Sequence, residues 1–383
     1  MKRVGHLYDK LLSDENLMLA IITVNATHRW RHYPNKPNPA TLWVEKTKDE
    51  RVKDLRRLIE EGFVPSPCTL KRRFDSNARK WRDIYEPRLW PDQYVHHALI
   101  QVLEPVMMRG MDHWCCGSIQ GRGAHYGVKA LKKWMKNDTK GTRWCAELDI
   151  RHFYDSIRPE IVMRRMRKLI KDRRVLDLIE RVTANGIQIG AYYSQWFANT
   201  MLQPLDHKIR EGGYGVTHYV RYMDNFTIFT GSKKEIREVI RVVEEWLANN
   251  GLELKSNWQY FRVRAVMPVH APDDKKMQRR YPNALGYRYG RDFTLLRKHS
   301  LMRLRRQLKS FYRMRAHKRH PTVKFCQGAI SRLGMLRHCN ANSIYRRYIR
   351  QKTQRDMKNI IRINAREAQN RWNTFLAQNS EVA

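Results

Sequence analysis

The stretch HYVRYMDNFTIFTG, residues 218–231, decides how this chain is interpreted, because it has the pattern of two short β-strands around a tight turn. β-Branched and aromatic residues, which favour strands, flank the polar centre Met223-Asp224-Asn225. Asp and Asn tolerate the unusual backbone angles of hairpin turns, so turn chemistry alone explains both residues. The alternative is that the turn presents the Asp224 carboxylate for chemistry.

A second acid, Asp149, follows a strand-like segment in AELDIRHFYDSI, residues 146–157. One interpretation of Asp149 is an N-cap for the helix that follows. If the hairpin instead lies beside this strand, Asp149 and Asp224 form a pair of carboxylates. Such a pair repels unless cations occupy the gap, and carboxylates with backbone carbonyls are ligands that suit Mg²⁺.

The order of elements around these two acids predicts the fold class, α+β. A strand over 143–150 precedes helical patterns over 158–172 and 194–209, and the hairpin precedes a helical pattern over 233–251 that ends in Gly251. A short strand pair within 284–296 completes the order β-α-α-β-β-α-β. This order predicts an antiparallel sheet backed by helices, a split βαβ arrangement.

The flanking regions have different compositions. Residues 1–65 are predicted to be helices interrupted by a Pro-rich link, HYPNKPNPA, at 32–40. From Leu296 to the end, 22 lysines and arginines stand against three acids, with helical spacing throughout. A helical tail that is merely soluble is one interpretation. The interleaved aromatic residues favour a surface that binds a phosphate backbone, namely Tyr312, Tyr345, Tyr348 and Trp372.

The net charge of the whole chain points to a polyanionic partner. Lys and Arg number 75 and Asp and Glu 37, which gives a formal charge of +38. Such an excess repels itself unless phosphates neutralise it, so nucleic acid is the expected partner. No basic amphipathic helix stands out, and a membrane is therefore not an expected partner.

Cysteine spacing and hydropathy exclude several other classes. The six cysteines contain no CxxC pair with matching His residues, so neither a zinc site nor a disulfide framework is expected. The N-terminus lacks a secretory apolar core, and no window approaches the ~18 apolar residues of a membrane span. We therefore expect a cytoplasmic protein.

Several motifs in collinear order resemble those of bacterial reverse transcriptases. YMDN (222–225) resembles their Tyr-X-Asp-Asp turn, and LDIRHFYDSI (148–157) resembles their first palm motif. IGAYYSQWFAN (189–199) resembles the Ile-Gly-X-X-X-Ser-Gln block of the diversity-generating retroelement type. The resemblance spans about 65–300, and three further segments fit it in order: KWR with DQYVHHAL (80–82 and 92–99), LELKSN (252–257) and LGYR (285–288).

This resemblance implies the architecture of a right-hand polymerase. Residues 1–65 would be an N-terminal helical extension and 66–140 the fingers. Residues 141–295 would be a ferredoxin-like antiparallel palm that carries the catalytic site. Residues 296–383 would be a basic α-helical thumb that binds nucleic acid.

The resemblance also implies catalytic and metal-binding roles. Asp149 and Asp224 would share two Mg²⁺ or Mn²⁺ ions, with the Ile150 carbonyl as a further ligand. Asn225 stands where the family has a second Asp, and it offers a neutral oxygen without charge. Metal affinity should therefore be lower than with two acids in the turn.

Six more residues would bind the incoming nucleotide. Tyr154 would lie under the sugar and exclude a 2′-hydroxyl, and Ile189 would stand where many relatives have Gln, which fits a low-fidelity enzyme. The four polar residues of the set could also be ordinary solvated surface residues. Tyr154 could also be an aromatic residue packed in the core. The nucleotide set is Lys80, Arg82, Tyr154, Ile189, Gln195 and Lys255.

The implied function is RNA-directed DNA polymerase activity with deoxynucleotide triphosphates on an RNA template and a primer, in a diversity-generating retroelement. A small basic accessory protein or a structured non-coding RNA would be a further partner. Two alternatives stay open. One is an antiviral-defence reverse transcriptase of the same bacterial or phage-encoded class, and the other is a retired RNA-binding paralogue, suggested by Asn225.

Overall fold

The computed structural model describes residues 2–30, 37–75, 80–264 and 279–380. Within them the chain is α+β, with many helices and with sheets that are antiparallel except for one short parallel pair at an edge, as the element order predicts. Most of the Pro-rich link predicted at 32–40 lies outside the described residues. No helix in these ranges is both long and apolar enough to cross a bilayer.

The helices predicted over residues 1–65 are present, and they form a bundle with a further helix that lies beyond that range. This long apolar helix, α5 (Tyr94–Met108), crosses the bundle and buries most of its side chains against the preceding helices and against α10 (Tyr192–Glu211) of the next region. Ser13 caps α2 by accepting a hydrogen bond from the Asn16 N–H at 3.2 Å. The helices are α1 (Leu7–Leu12), α2 (Asp14–His28), α3 (Pro39–Lys46), α4 (Lys48–Glu60) and α5 (Tyr94–Met108).

Between α4 and α5 the chain forms an antiparallel hairpin that the sequence does not predict. Its strands are β1 (Thr69–Asp75) and β2 (Lys80–Glu86). Their pairing runs from Thr69 opposite Glu86 to Asp75 opposite Lys80. Both strands are rich in charge, and their large apolar side chains are exposed, namely Leu70, Phe74 and Trp81. These three side chains of the hairpin are therefore not part of a hydrophobic core, whereas Ile84 and Tyr85 are half-buried.

The central sheet has the strand order β4-β5-β3-β6-β7, which contains the predicted split βαβ arrangement. The opening hairpin is confirmed, and its strand β5 pairs antiparallel with β3, which in turn pairs with β6. The outer edge of β4 is covered, because the Arg221 N–H donates to the Trp114 carbonyl. The strands are β3 (Trp144–Asp149), β4 (Val216–Tyr222), β5 (Asn225–Thr230), β6 (Gln259–Val263) and the two-residue β7 (Arg279–Arg280).

This sheet separates two hydrophobic cores. Ala146 and Leu148 belong to the first core with the N-terminal bundle, whereas Cys145 belongs to the second with the C-terminal helices. Alternate residues of a strand point to opposite faces, so Glu147 and Asp149 share the face of Cys145. The helices of this region are α6 (Ala124–Asn137), α7 (Phe153–Ser156), α8 (Pro159–Arg167), α9 (Arg173–Thr183), α10 (Tyr192–Glu211) and α11 (Lys233–Ala248).

The C-terminal region begins with a small sheet and continues as helices, as predicted. The sheet has the order β10-β9-β8 and packs on the second core. The long last helix packs on α13 at its start, and its Trp372 lies under the Arg29 guanidinium, 3.9 Å from the ring centroid. The elements are β8 (Asn283–Ala284), β9 (Tyr287–Tyr289), β10 (Thr294–Leu296), α12 (Lys298–Ala316), α13 (Val323–Met335), α14 (Asn342–Tyr348) and α15 (Thr353–Ser380).

Candidate active site

The turn between β4 and β5 consists of Met223 and Asp224, since Tyr222 pairs with Asn225. Met223 has a φ of 55°, the left-handed region that hairpin turns use. Its side chain is buried, and a Cβ at Gly117 would lie only 2.6 Å from the Met223 nitrogen. Glycine at 117 therefore permits the close backbone approach that fixes the position of Asp224.

A fully buried ion pair also holds this turn. The Arg221 guanidinium donates two hydrogen bonds to the Asp206 carboxylate of α10, at 2.7 and 2.6 Å. The remaining nitrogen donates to the Asn199 side-chain oxygen at 2.8 Å and to the Met223 carbonyl at 3.0 Å. The charge of Arg221 is thus satisfied within the core, and one of its bonds fixes the backbone beside Asp224.

Asp149, the last residue of β3, pairs directly with Asn225 across the sheet. The next residue, Ile150, donates its N–H to the Asp224 carbonyl at 3.1 Å. Helix α7 starts at Phe153 with His152 as its N-cap residue, so Asp149 is not a helix cap. The hairpin therefore places the two acids, predicted to meet, next to each other, with Asp224 in its turn and Asp149 at the end of the neighbouring strand.

The electrostatics of Asp224 reflect this proximity. Burial, followed by the negative charge of Asp149, raises the pKa of Asp224 to about 6. Two neighbouring carboxylates repel each other, and this repulsion destabilises their charged forms unless a positive charge lies between or beside them. The Lys255 ammonium supplies part of it, since its Nζ lies 2.5 Å from Asp149 Oδ1.

Asn225 contributes a hydrogen bond rather than a charge. Its Nδ2 donates to Asp224 Oδ1 at 3.1 Å, and its side chain is exposed. An amide donor favours the ionised form of the carboxylate that accepts it. The turn therefore carries one carboxylate, which the neighbouring amide orients.

A cavity of about 750 Å³ opens in front of Asp224. Tyr154 lies half-buried in its wall, where burial and then the charge of Asp224 raise the pKa of its hydroxyl. Six of the predicted site residues line this cavity: Arg82, Ile150, Tyr154, Ile189, Asp224 and Lys255. A second cavity of about 430 Å³ lies on the other side of the pair, and Asp149 and Asn225 line it.

The β1–β2 hairpin reaches the cavity through a contact with the segment before α10. The Tyr85 N–H donates to the Ile189 carbonyl at 2.8 Å. Gly190 has a φ of 120°, and a Cβ there would lie 2.5 Å from the Tyr85 carbonyl oxygen. Gly190 therefore allows the strand carrying Arg82 to lie directly against Ile189.

Two of the predicted nucleotide residues are not placed at this cavity. Gln195 is half-buried on α10 and does not line it. Its neighbour Ser194 anchors the loop instead, since its hydroxyl donates to the Gln188 carbonyl at 2.7 Å. Lys80 begins β2, and its side chain lies outside those that the structure describes. Both roles stay predictions.

Sequence reasoning missed Glu147, which shares a strand face with Asp149. Glu147 accepts the Asn283 N–H and a hydrogen bond from Gln259 Nε2 at 2.8 Å, and burial raises its pKa. It thereby joins β3 to β8 beside the second cavity. The signal was available as an acid two residues before Asp149, at the spacing that puts both on one side of a strand.

The donor set fits divalent cations bound together with a substrate. Among the described residues, no group of three or more His, Cys, Asp or Glu side chains could hold a metal. Mg²⁺ commonly binds through one or two carboxylates while substrate phosphates and water complete its shell. The Asp149–Asp224 pair, with the raised pKa of Asp224, matches that pattern, and Ile150, predicted as a further ligand, follows Asp149 in the chain and lines the cavity.

This geometry coincides with a match to a known family. The family model described as "Reverse transcriptase (RNA-dependent DNA polymerase)" matches residues 74–261. That stretch is a reverse transcriptase family domain. The reverse transcriptase domain contains every predicted site residue, from Lys80 to Lys255.

Two curated proteins match part of this chain. Protein YkfC of Escherichia coli (strain K12) is 24% identical over 197 residues, which cover 47% of this chain and 51% of YkfC. Nuclear intron maturase 1, mitochondrial, of Arabidopsis thaliana is 28% identical over 95 residues, 25% of this chain and 13% of that protein. The matches thus span about half of YkfC and a small part of the maturase.

Solved structures of telomerase also match. Telomerase from Candida albicans in complex with a fragment of telomeric RNA aligns with 86% of this chain and 65% of its own, at 12% identity and a TM-score of 0.44. A truncated apo telomerase from Candida tropicalis aligns with 67% of this chain and 60% of its own, at 12% identity and a TM-score of 0.43.

Proposed function

We propose that this chain is an RNA-directed DNA polymerase that extends a primer along an RNA template with deoxynucleotide triphosphates. The observation that carries the proposal is the proximity of Asp149, the last residue of β3, to Asp224 in the β4–β5 turn, with a cavity of about 750 Å³ in front of Asp224. In the proposed architecture, residues 66–140 are the fingers, 141–295 the palm and 296–383 the thumb, with 1–65 as an N-terminal extension.

The reaction joins the primer 3′-hydroxyl oxygen to the α-phosphorus of the nucleotide and releases pyrophosphate. Two Mg²⁺ or Mn²⁺ ions, held by Asp149, Asp224 and the Ile150 carbonyl, would lower the pKa of the attacking hydroxyl and stabilise charge on the leaving group. The protein's own part is to position the reactants and to supply fixed charge.

Residues around the cavity have distinct proposed roles. Arg82, carried on β2, would bind the triphosphate, and Lys255 would move from Asp149 toward the leaving pyrophosphate when divalent ions replace its ammonium. Tyr154 would pack under the sugar, where a bulky ring leaves no room for a 2′-hydroxyl. These roles fit the positions of the three side chains in the cavity wall.

Ile189 supports a low-fidelity enzyme of the diversity-generating type. Its apolar side chain lines the cavity, where it cannot donate or accept a hydrogen bond to position a base pair. A retired RNA-binding protein is a second candidate, because Asn225 leaves the turn with a single carboxylate. Both candidates bind RNA, so catalysis is the property that separates them.

Primer extension on poly(rA)/oligo(dT) with Mg²⁺ or Mn²⁺ tests the proposal. We expect extension by the wild type, and a loss of at least about a hundredfold in Asp149→Ala, because a carboxylate that holds the metal ions is removed. Asn225→Asp is expected to preserve or raise the rate. Glu244→Ala, an exposed acid on α11, serves as the matched control. Sequencing the products measures the error frequency.

The absence of extension by the wild type with either metal, when its native RNA is also supplied, would favour the retired RNA-binding protein. Equal rates in Asp149→Ala and the wild type would contradict the proposed site.

A further inference from the structure

A second concave site lies in the C-terminal helices, remote in sequence from the reverse transcriptase domain. A cavity of about 520 Å³ is formed where α12 meets α14 and the residues that follow it. It shares no lining residue with the cavities beside Asp149 and Asp224. Its lining consists of an apolar, aromatic floor and a cationic rim, and we call it the tyrosine pocket.

The floor of the tyrosine pocket is formed chiefly by Tyr312, Tyr348 and Ile349, all half-buried. The Tyr312 hydroxyl donates to the Tyr348 carbonyl at 3.1 Å and accepts the Arg350 N–H at 3.0 Å. Because these bonds satisfy the hydroxyl within the protein, the orientation of the Tyr312 ring is fixed. The floor is therefore a preformed aromatic surface.

The rim of the tyrosine pocket is positively charged, and no acidic side chain of the pocket neutralises it. Six exposed basic side chains line the pocket and no acid does: Arg305, Arg306, Lys309, Arg346, Arg347 and Arg350. Within the part of the chain that the structure describes, none of the six forms an ion pair with an acid, although salt bridges are found elsewhere. A ligand of this pocket must therefore bring negative charge.

Two of these arginines already stack on the floor. The Arg305 guanidinium lies 4.5 Å from the Tyr348 ring centroid, and the Arg350 guanidinium lies 4.5 Å from that of Tyr312. A stacked guanidinium keeps its N–H groups at the edge, where they can donate to phosphate oxygens. The pocket thus offers the flat planes of the tyrosine rings and of the guanidinium groups stacked on them for a planar base, next to donors for a phosphate.

We propose that the tyrosine pocket binds one unpaired nucleotide of a single-stranded nucleic acid, with its base on the tyrosine floor and its flanking phosphates on the arginine rim. A duplex backbone presents only phosphates and sugars, and for it an exposed basic surface suffices without a concave aromatic floor. A base that is free of pairing presents the flat face that such a floor accepts. The site does not depend on catalysis at Asp149.

Calorimetric titration of the full chain with tetraadenylate and with an abasic tetramer of the same phosphates tests the base contact. Tyr348→Leu is expected to weaken tetraadenylate binding by about five- to a hundredfold, the range for one base stacked on an aromatic ring, and to leave the abasic tetramer unchanged. Tyr348→Phe keeps the ring and is expected to bind as the wild type. Equal binding of the two tetramers by the wild type would overturn the proposal.

A matched pair of charge variants tests the rim. Arg346→Gln with Arg347→Gln removes two cations from the pocket, whereas Arg313→Gln with Arg315→Gln removes two exposed cations of α12 outside it. The first pair is expected to lower the affinity for tetraadenylate at least tenfold and the second less than threefold. Equal losses would show attraction by diffuse charge and would overturn the site.

The same titration identifies the source of the nucleotide. Tighter binding of the RNA tetraadenylate than of the DNA tetraadenylate assigns the pocket to RNA. The reverse order assigns it to the DNA product, and either result supports the site. Stronger binding of a duplex than of the single strand would contradict it.

Ultraviolet crosslinking of tetraadenylate with peptide mapping locates contacts at 345–350 without any substitution. Primer extension by Tyr348→Leu separates this proposal from the catalytic one, because a short primer–template should still be extended.

Discussion

At the scale of single residues, the candidate site depends on a charged pair that touches neither cavity. Arg221 and Asp206 are fully buried, and Arg221 also binds the Met223 carbonyl of the turn. Removing one partner of a buried ion pair leaves an uncompensated charge, which costs far more than the pair contributes. Arg221 is therefore a positioning residue whose effects on stability and on the turn can be separated.

Asp206→Asn is expected to lower the free energy of unfolding by about 3–5 kcal/mol, measured by urea denaturation. The double variant Asp206→Leu with Arg221→Met removes both charges, and we expect it to regain most of that loss. It cannot restore the bond to Met223, so its primer extension should stay impaired although it is folded. Full activity in the double variant would contradict the positioning role.

The two acids could be predicted from the sequence, whereas the support beneath them could not. Asp149 and Asp224 stand at the ends of recognisable strands, and strand pairing then brings them together. An arginine in an alternating strand, such as Arg221, has the pattern of a solvent-facing residue. Only the tertiary fold shows that Asp206, fifteen positions earlier on α10, is buried against it.

At the scale of elements, helix α11 shows how local signals determine a boundary. Ser232 accepts the Glu235 N–H at 3.2 Å, and the Glu235 carboxylate accepts the Ser232 N–H at 2.9 Å, a complete capping box. The helix packs on β3, β4 and β5, and thus supports the strands that carry both acids. Its position at 233–248 agrees with the predicted 233–251, where Gly251 follows the end.

Ser232→Ala removes the side-chain acceptor of this cap. We expect a loss of about 1 kcal/mol in the free energy of unfolding, because one N–H of the first turn loses its partner. Ser232→Asp retains an acceptor and should be within a few tenths of a kcal/mol of the wild type. Urea denaturation gives both free-energy differences from the midpoints, provided that the dependence of the unfolding free energy on urea concentration is unchanged. Equal midpoints for all three proteins would contradict the role of the cap.

The β1–β2 hairpin shows where sequence patterns fail at this scale. A strand is recognised by alternation of apolar and polar residues when one face is buried. The hairpin buries neither face well, since Leu70, Phe74 and Trp81 are exposed and charged residues stand between them. Its contact with Ile189 depends on Gly190, whose role appears only when the two segments are seen together.

At the scale of the whole molecule, helix α15 joins the C-terminal region to the N-terminal bundle. Its first turns pack on α13, whereas residues 362–367 are all exposed. Trp372 is then buried again, against Arg29 and, at a centroid distance of 6.5 Å, against Trp30. The helix therefore spans open solvent between two anchored ends.

Trp372→Ala is expected to release the distal part of α15. Short helical segments without packing are marginal in water, so amide hydrogen exchange over 362–374 should accelerate by at least tenfold. Trp372→Phe keeps an aromatic face for Arg29 and should exchange more slowly than Trp372→Ala. Ile363→Ala changes an exposed residue of the same helix and is the control. Unchanged exchange in Trp372→Ala would contradict the anchoring role.

The contact between Trp372 and Arg29 also has a consequence for biosynthesis. A ribosome completes α2 long before α15, so a nascent polypeptide cannot cover Arg29 and Trp30 with Trp372 until the chain has reached α15. The long chain between them makes their closure one of the entropically most demanding steps of assembly. The Trp30 indole and the Arg29 guanidinium therefore lack their Trp372 contact until α15 has been synthesised.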